Sequence, residues 1–309
     1  MFFTSRVKKD FTTLIGLSIT LVIIGFLFIY SSSFIYAAQR FSASYYFLKK
    51  QIIGAALGTA IFFIARTLSF EILYRYTPLF FFGSLFLTAL TLIGKFSHTI
   101  HGSSRWLALG GFSFQPSELL KIAFIMYVAR FLAKRTRISF DFKTAYMPFF
   151  IMVGLVGGVL LCQPDFGLAM TLVATAFSLL FIAGFPVWHL LAGVLAAIPA
   201  IGILIYTQPY RMQRIFTFLN PWKDPQGTGF QIIQSLIAIG SGSWWGSGIS
   251  HSKQKFFYLP MQHTDFIFSV FAEERGFIGA LILLATYYAY LLFSLRTVAR
   301  ARSISVSPE

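Results

Sequence analysis

From Phe11 to Phe293 the chain repeats one pattern: an apolar run, then a short polar or basic connector. About 20 apolar residues in a helix cross the ~30 Å hydrocarbon core of a bilayer. In that solvent each backbone N–H and C=O must be paired inside the protein, which makes the helix the natural solution for every run. The runs read as about eight spans, near residues 11–33, 51–65, 77–93, 116–132, 146–162, 166–185, 187–206 and 266–293. The expected fold is all-α: a polytopic transmembrane helix bundle, with a large extracytoplasmic loop at residues 207–264 before the last span. Residues 1–309 read as a single integral membrane domain.

Composition excludes a soluble domain. Charged residues make up 11% of the chain, hydrophobic residues 57%, and mean hydropathy is +0.73, whereas a soluble domain is about 25% charged. Arg6, Lys8 and Lys9 precede the first run, as in a signal peptide. That run is too long for a signal core and no small-residue cleavage site follows, so it reads as an anchor.

The loop over residues 130–143 carries Arg130, Lys134, Arg135, Arg137 and Lys143. Short-loop Lys and Arg mark the cytoplasmic side, which places both termini in the cytoplasm and the 207–264 loop outside. The outer loops are basic too, through Arg40, Lys49, Lys50, Lys95, Arg105, Arg211, Arg214, Lys223, Lys253 and Lys255. A net charge of +15 fits anionic lipid head groups. Nucleic acid fits poorly, because no soluble basic domain exists to hold it.

The one cysteine, Cys162, lies in an apolar run, and no Cys/His cluster has metal-ligand spacing. Neither a phosphate-binding glycine loop nor a dinucleotide fingerprint nor a Gly-x-Ser-x-Gly elbow is present. Transport driven by ATP in this chain alone is thereby disfavoured.

The 207–264 loop is far longer than the ~15 residues beyond which loops are usually functional or disordered, and its composition is not that of disorder. Residues 230–239 put Gln231, Gln234 and Ser235 on one helical face, with Phe230, Ile233 and Ile237 on the other. This predicts a short interfacial helix. Trp244, Trp245 and the aromatic residues at 256–258 suit the same boundary. The loop is expected to pack back on the membrane domain and roof a cavity.

Asp265 sits where this cationic, aromatic loop meets the last apolar run, near His263, Lys253 and Lys255. An acid at a bilayer edge is costly unless it has a function. A helix cap is the duller reading, since Thr264-Asp265 before an apolar run is a good helix start. Glu118 and Lys121, at i,i+3 after Pro116, read as a structural ion pair. Asp165 after Pro164 reads as a cap, and His263 as a hydrogen-bond partner of its loop rather than a metal ligand. Glu273 and Glu274 beside Arg275 read as a local charge cluster.

Four separated motifs resemble the FtsW/RodA family of cell-wall glycosyltransferases (SEDS proteins). They are Gly102-Ser103-Ser104-Arg105-Trp106 with Gln115-Pro116-Ser117-Glu118-Leu119-Leu120-Lys121; Gln163-Pro164-Asp165-Phe166-Gly167; residues 211–231, containing Asn220-Pro221-Trp222-Lys223-Asp224-Pro225; and residues 246–276, with Tyr258-Leu259-Pro260 and His263-Thr264-Asp265-Phe266. They stand in the family's order, and the wording Lys253-Gln254-Lys255-Phe256-Phe257-Tyr258-Leu259-Pro260 leans to the FtsW-like division branch over the RodA elongation branch. The resemblance implies a peptidoglycan glycosyltransferase that polymerises lipid II, an undecaprenyl-pyrophosphate disaccharide-peptide. It also implies a class B penicillin-binding protein transpeptidase and other division proteins as partners, in the bacterial plasma membrane.

On that resemblance Asp265 matches the family's essential loop aspartate and is the candidate general base. Arg211, Arg214, Lys253 and Lys255 are candidate pyrophosphate ligands, and Arg105 and Trp106 candidate substrate contacts. A divalent cation is a further way to neutralise the leaving pyrophosphate. The family's ninth and tenth spans have no counterpart among the runs read here. A lipid II flippase and a non-catalytic scaffold for a transpeptidase are the alternatives. The first needs a continuous polar path through the bundle, and the second would tolerate loss of Asp265.

Overall fold

The computed structural model describes residues 5–93, 97–100, 103–109, 112–135, 142–248, 250–252 and 262–306. The helices are α1 (Ser5–Phe41), α2 (Tyr46–Thr67), α3 (Phe70–Leu90), α4 (Pro116–Arg135), α5 (Met147–Cys162), α6 (Phe166–Ile182), α7 (Val187–Tyr206), α8 (Pro209–Leu219), α9 (Phe230–Ser241) and α10 (Ile267–Val306). Helices α1–α7 and α10 coincide with the expected spans. Among the described residues, α1, α2, α7 and α10 contain stretches long and apolar enough to cross a membrane on length and composition alone, and α5 and α6 are shorter apolar helices. None of the side chains of α2 or α7 is buried, as befits surfaces facing lipid.

The chain divides into two compact units, residues 63–204 and residues 1–62 with 205–309. In the first, four helices each contribute a stripe of buried side chains. Phe81 and Leu85 come from α3, and Leu120, Phe124, Val128 and Leu132 from α4. Phe149, Met152, Val156 and Leu160 come from α5, and Ala169, Leu172, Ala176 and Leu180 from α6. Spacings of three and four keep each stripe on one helix face. Lipid is as apolar as leucine, so close van der Waals packing holds these helices together rather than escape from water. Buried Ser84, Thr88 and Thr91 donate to carbonyls three or four residues back on α3, which satisfies their hydroxyls without a partner helix.

The helical bundle carries one feature the residues did not announce. Between α3 and α4 lies a three-stranded antiparallel sheet in the order β1 (Ser97–Ile100), β2 (Ser103–Leu109), β3 (Phe112–Phe114). Trp106 pairs with His98, and Leu107 with both Ser97 and Phe114.

In the second unit α1 and α10 run antiparallel. Asp10 and Arg300 pair near one end. Toward the other, Ser31 Oγ donates to Glu274 and the rings of Phe28 and Phe271 lie 4.4 Å apart. Helix α10 is broken at Gly276, whose φ of 68° and ψ of −170° lie in a region essentially open only to glycine. A break inside a membrane helix frees backbone groups that must find partners. Here residues 243–248 supply them. Phe277 and Ile278 N–H donate to the Ser243 and Trp244 carbonyls at 2.8 and 3.2 Å, and Ser247 and Gly248 N–H donate to the Glu273 and Glu274 carbonyls at 2.9 and 3.1 Å. Side chains have no room in this contact: a Cβ on Gly246 (φ +80°) would lie 2.3 Å from the Glu274 carbonyl oxygen.

At the expected Glu273–Arg275 cluster, both glutamates are held within the fold. Glu273 and Glu274 are buried, and their described hydrogen bonds come from the hydroxyls of Ser252 and Ser31, while Arg275 is exposed.

Candidate active site

The expected short helix over residues 230–239 is present as α9, and a second helix, α8, precedes it. Proline at the first position of α8 starts that helix. Polar and aromatic residues recur along it at helical spacing: Tyr210, Gln213, Arg214 and Thr217. They form one side of a cavity of about 730 Å³, with Gln226–Thr228, Gln231 of α9 and Asp265 completing the wall.

Each wall has a local cause. The Arg214 guanidinium lies 4.6 Å from the Tyr210 ring centroid, an i,i+4 cation–π contact that orients it. The turn between α8 and α9 is tied by Asp224, whose Oδ1 accepts from Gly227 N–H (3.1 Å) and Oδ2 from Thr228 N–H (2.8 Å). These backbone donors, Thr228 first, hold the exposed Asp224 carboxyl below the usual carboxylate range. Thr228 Oγ1 in turn accepts from Thr217 Oγ1 on α8 at 3.0 Å. Gly229 is required by close approach, since a Cβ there would sit 2.0 Å from the Pro221 carbonyl oxygen. Helix α9 is fixed to α10 by Ser235 and Ser269, whose hydroxyls lie 2.6 Å apart.

Asp265 is exposed and faces this cavity. Its carboxylate makes no hydrogen bond or ion pair with the described residues, so it does not cap α10. His263 also departs from its expected role. Its ring stacks on Tyr36 and lies tilted against Phe47, and its buried Nδ1 has no hydrogen-bond partner among the described residues.

Residues 11–307 match the sequence profile of the FtsW, RodA and SpoVE cell cycle protein family. The chain belongs to that family. It is 40% identical over 296 residues to a probable peptidoglycan glycosyltransferase FtsW of Geobacter sp. strain M18, covering 96% of this chain and 81% of that protein. It is 35% identical to stage V sporulation protein E of Bacillus subtilis, covering 95% and 80%. Among solved structures, a chain of a peptidoglycan synthase complex that coordinates polymerization and crosslinking superposes with a TM-score of 0.72 at 32% identity, over 91% of this chain and 75% of that one. Rod shape determining protein RodA of Thermus thermophilus superposes with a TM-score of 0.61 at 28% identity, covering 91% and 72%.

The family motifs in the 63–204 unit are joined physically. Arg105, on β2, donates from Nε to the Gln163 carbonyl (3.3 Å) and from Nη2 to the Pro164 carbonyl (2.5 Å), and its Nη1 lies 3.4 Å from Asp165 Oδ2. Asp165 caps α6 as expected, accepting from Leu168 N–H at 3.2 Å. Arg105 thus clamps the turn between α5 and α6. Trp106, on the opposite side of β2, is half-buried. Glu118 and Lys121 form the expected ion pair at 2.7 Å, and at that exposure such a pair contributes about 0–1 kcal/mol.

In the other unit the structure brings Asp265 and Arg214 to one cavity. Arg211 is on the same helix, outside that wall. Lys253 and Lys255 lie outside the described residues. Sequence reasoning missed Tyr210, Gln213, Thr217 and Gln226; the i, i+3, i+4, i+7 spacing from Tyr210 was the available signal.

Proposed function

We propose that this chain is a peptidoglycan glycosyltransferase that polymerises lipid II, with Asp265 as general base. The observation that carries the reading is an exposed Asp265, with no hydrogen-bond partner among the described residues, sharing a cavity with Arg214. The acceptor sugar's 4-hydroxyl attacks the donor's anomeric carbon, and its proton passes to the Asp265 carboxylate. The bond between that carbon and the pyrophosphate oxygen breaks, and undecaprenyl pyrophosphate leaves. Arg214 supplies a fixed cation for the charge that develops on the leaving group. Neutral donors on the same wall, Gln213, Gln226 and Gln231, suit the amides and hydroxyls of the disaccharide.

Among the described residues no group of three metal-ligating side chains occurs. A divalent cation fits this wall as a one-carboxylate site, with Asp265 and phosphate oxygens as ligands. The FtsW-like relatives support a role in division beside a class B penicillin-binding protein. Pairing of Asp10 with Arg300 puts the start of α1 beside the end of α10, which supports termini on one side. The basic 130–143 loop supports the cytoplasm as that side.

The test is polymer formation from labelled lipid II by the purified chain with its transpeptidase. Asp265→Asn cannot take a proton at neutral pH, and general base catalysis contributes roughly 10²–10⁴-fold. The expected result is loss of polymer on that scale with unchanged melting in detergent. Full activity in a folded Asp265→Asn variant would remove the assignment. An inactive parent chain that still binds the transpeptidase would favour the scaffold.

A further inference from the structure

Two residues just before Asp265 are held by helices that take no part in the cavity wall. Gln262 is 3% exposed, and its Nε2 donates to the Ser32 carbonyl on α1 at 2.9 Å. His263 stacks on Tyr36 of α1 with centroids 5.4 Å apart, and lies 4.1 Å from the Phe47 ring of α2. Ser32 and Tyr36 are one turn apart, so a single face of α1 receives both residues. Beyond Asp265, α10 starts at Ile267 and is fastened to α1 through Glu274 and Ser31, and to α9 through Ser269 and Ser235. Asp265 is therefore the exposed middle of a short segment pinned on both sides.

We infer that Gln262 and His263 are positioning residues for the transfer reaction, setting where the Asp265 carboxylate stands in the cavity. The inference rests on Asp265 being the base. Consecutive Cα atoms are ~3.8 Å apart, so a carboxylate two residues from an anchored ring has little freedom. A misplacement of about 1 Å in a catalytic group can cost 10²-fold in rate. An aromatic slot suits a neutral imidazole. Burial pushes the His263 pKa down, and the nearby Asp265 carboxylate opposes that. Among the described residues the titratable groups beside the ring are Tyr36 and Asp265, and Phe47 also packs on it.

The experiment compares Gln262→Met, His263→Phe and His263→Ala with the parent chain, each with its transpeptidase, over a range of lipid II concentrations. Met keeps the length of Gln without its donor, and Phe keeps the ring without its nitrogens. Gln262→Met and His263→Ala should lower kcat by about 10- to 100-fold. The KM for lipid II should stay within about twofold, because Arg214 and the α8–α9 wall are untouched. His263→Phe should recover most of the lost kcat. Parent kcat in His263→Ala overturns the inference, as does His263→Phe slowed as much as His263→Ala. A parallel rise in KM with a lower melting temperature in all three variants assigns these residues to folding alone. Asp265→Asn in the same assay separates the two levels. Activity there removes the base assignment, whereas its loss beside a fast His263→Ala removes the positioning role only.

Discussion

Ser31 Oγ on α1 lies 2.8 Å from each carboxylate oxygen of Glu274, a residue 1% exposed on α10. The contact joins residues 243 positions apart in the chain. It falls where α10 is broken and where residues 243–248 enter the break. A buried acceptor that loses its donor costs about 1–3 kcal/mol. Ser31→Ala should therefore lower stability by that amount, and Ser31→Thr, which keeps the hydroxyl, should recover part of it. Thermal melting in detergent reads both, and an unchanged midpoint for Ser31→Ala would remove the contact from the account.

The break itself sets a second expectation. A Cβ on Gly276 would meet Gly246 N at 2.3 Å, in a backbone conformation that L side chains rarely adopt. Strain of about 1–3 kcal/mol from the dihedrals adds to a backbone clash that no rotamer relieves. Gly276→Ala should be among the most destabilising single changes in the chain. Gly16→Ala, on α1 with open space around it, should be close to silent. Yield and melting of the two variants in one detergent measure the difference.

Arg105 sets a third. Its guanidinium is committed to the Gln163 and Pro164 carbonyls and to Asp165. Its side chain is 28% exposed, and hydrogen bonds to charged groups contribute about 1.5–3 kcal/mol each before solvent screening. Arg105→Lys cannot reproduce a fork with three contacts. Both Arg105→Lys and Arg105→Ala should lower melting while leaving the KM for lipid II within about twofold. A tenfold rise in KM with normal melting would return Arg105 to the substrate.

The fourth concerns acid. Burial lowers the folded-state pKa of His263 below the ordinary histidine value of about 6.5. Below pH 6.5 the unfolded chain takes up a proton that the folded chain does not, so its contribution to stability falls with pH from there down to the folded pKa. Above 6.5 both states are neutral and the contribution is flat. His263→Phe should flatten this part of the melting profile, below about pH 6.5. An identical profile in the variant would show that other groups set the acid response.

What the residues determined by themselves was what each segment settles alone. An apolar helix pairs its own backbone, so run length and hydropathy place α1–α7 and α10 without knowledge of their neighbours. Asp165 could be read as a cap because the donor it meets, Leu168 N–H, is three residues away. Glu118 and Lys121 could be paired because they share one turn. The Gln231 face of α9 was legible for the same reason.

Everything else depended on partners brought from afar. The Gly276 break is stable only because residues 243–248 complete its hydrogen bonds. Gln163, in a motif visible from the residues, is buried with its Nε2 on the Thr88 carbonyl, 75 positions earlier. Arg105 looked like a free cation until the fold set the Gln163–Asp165 turn against it. His263 looked like a hydrogen-bonding residue until α1 and α2 enclosed its ring. Asp265 was conspicuous in the sequence as a lone acid, but a cap and a base have the same residue type at the same place. What the tertiary structure adds is the surroundings: the Asp265 carboxylate faces the cavity that Arg214 also lines.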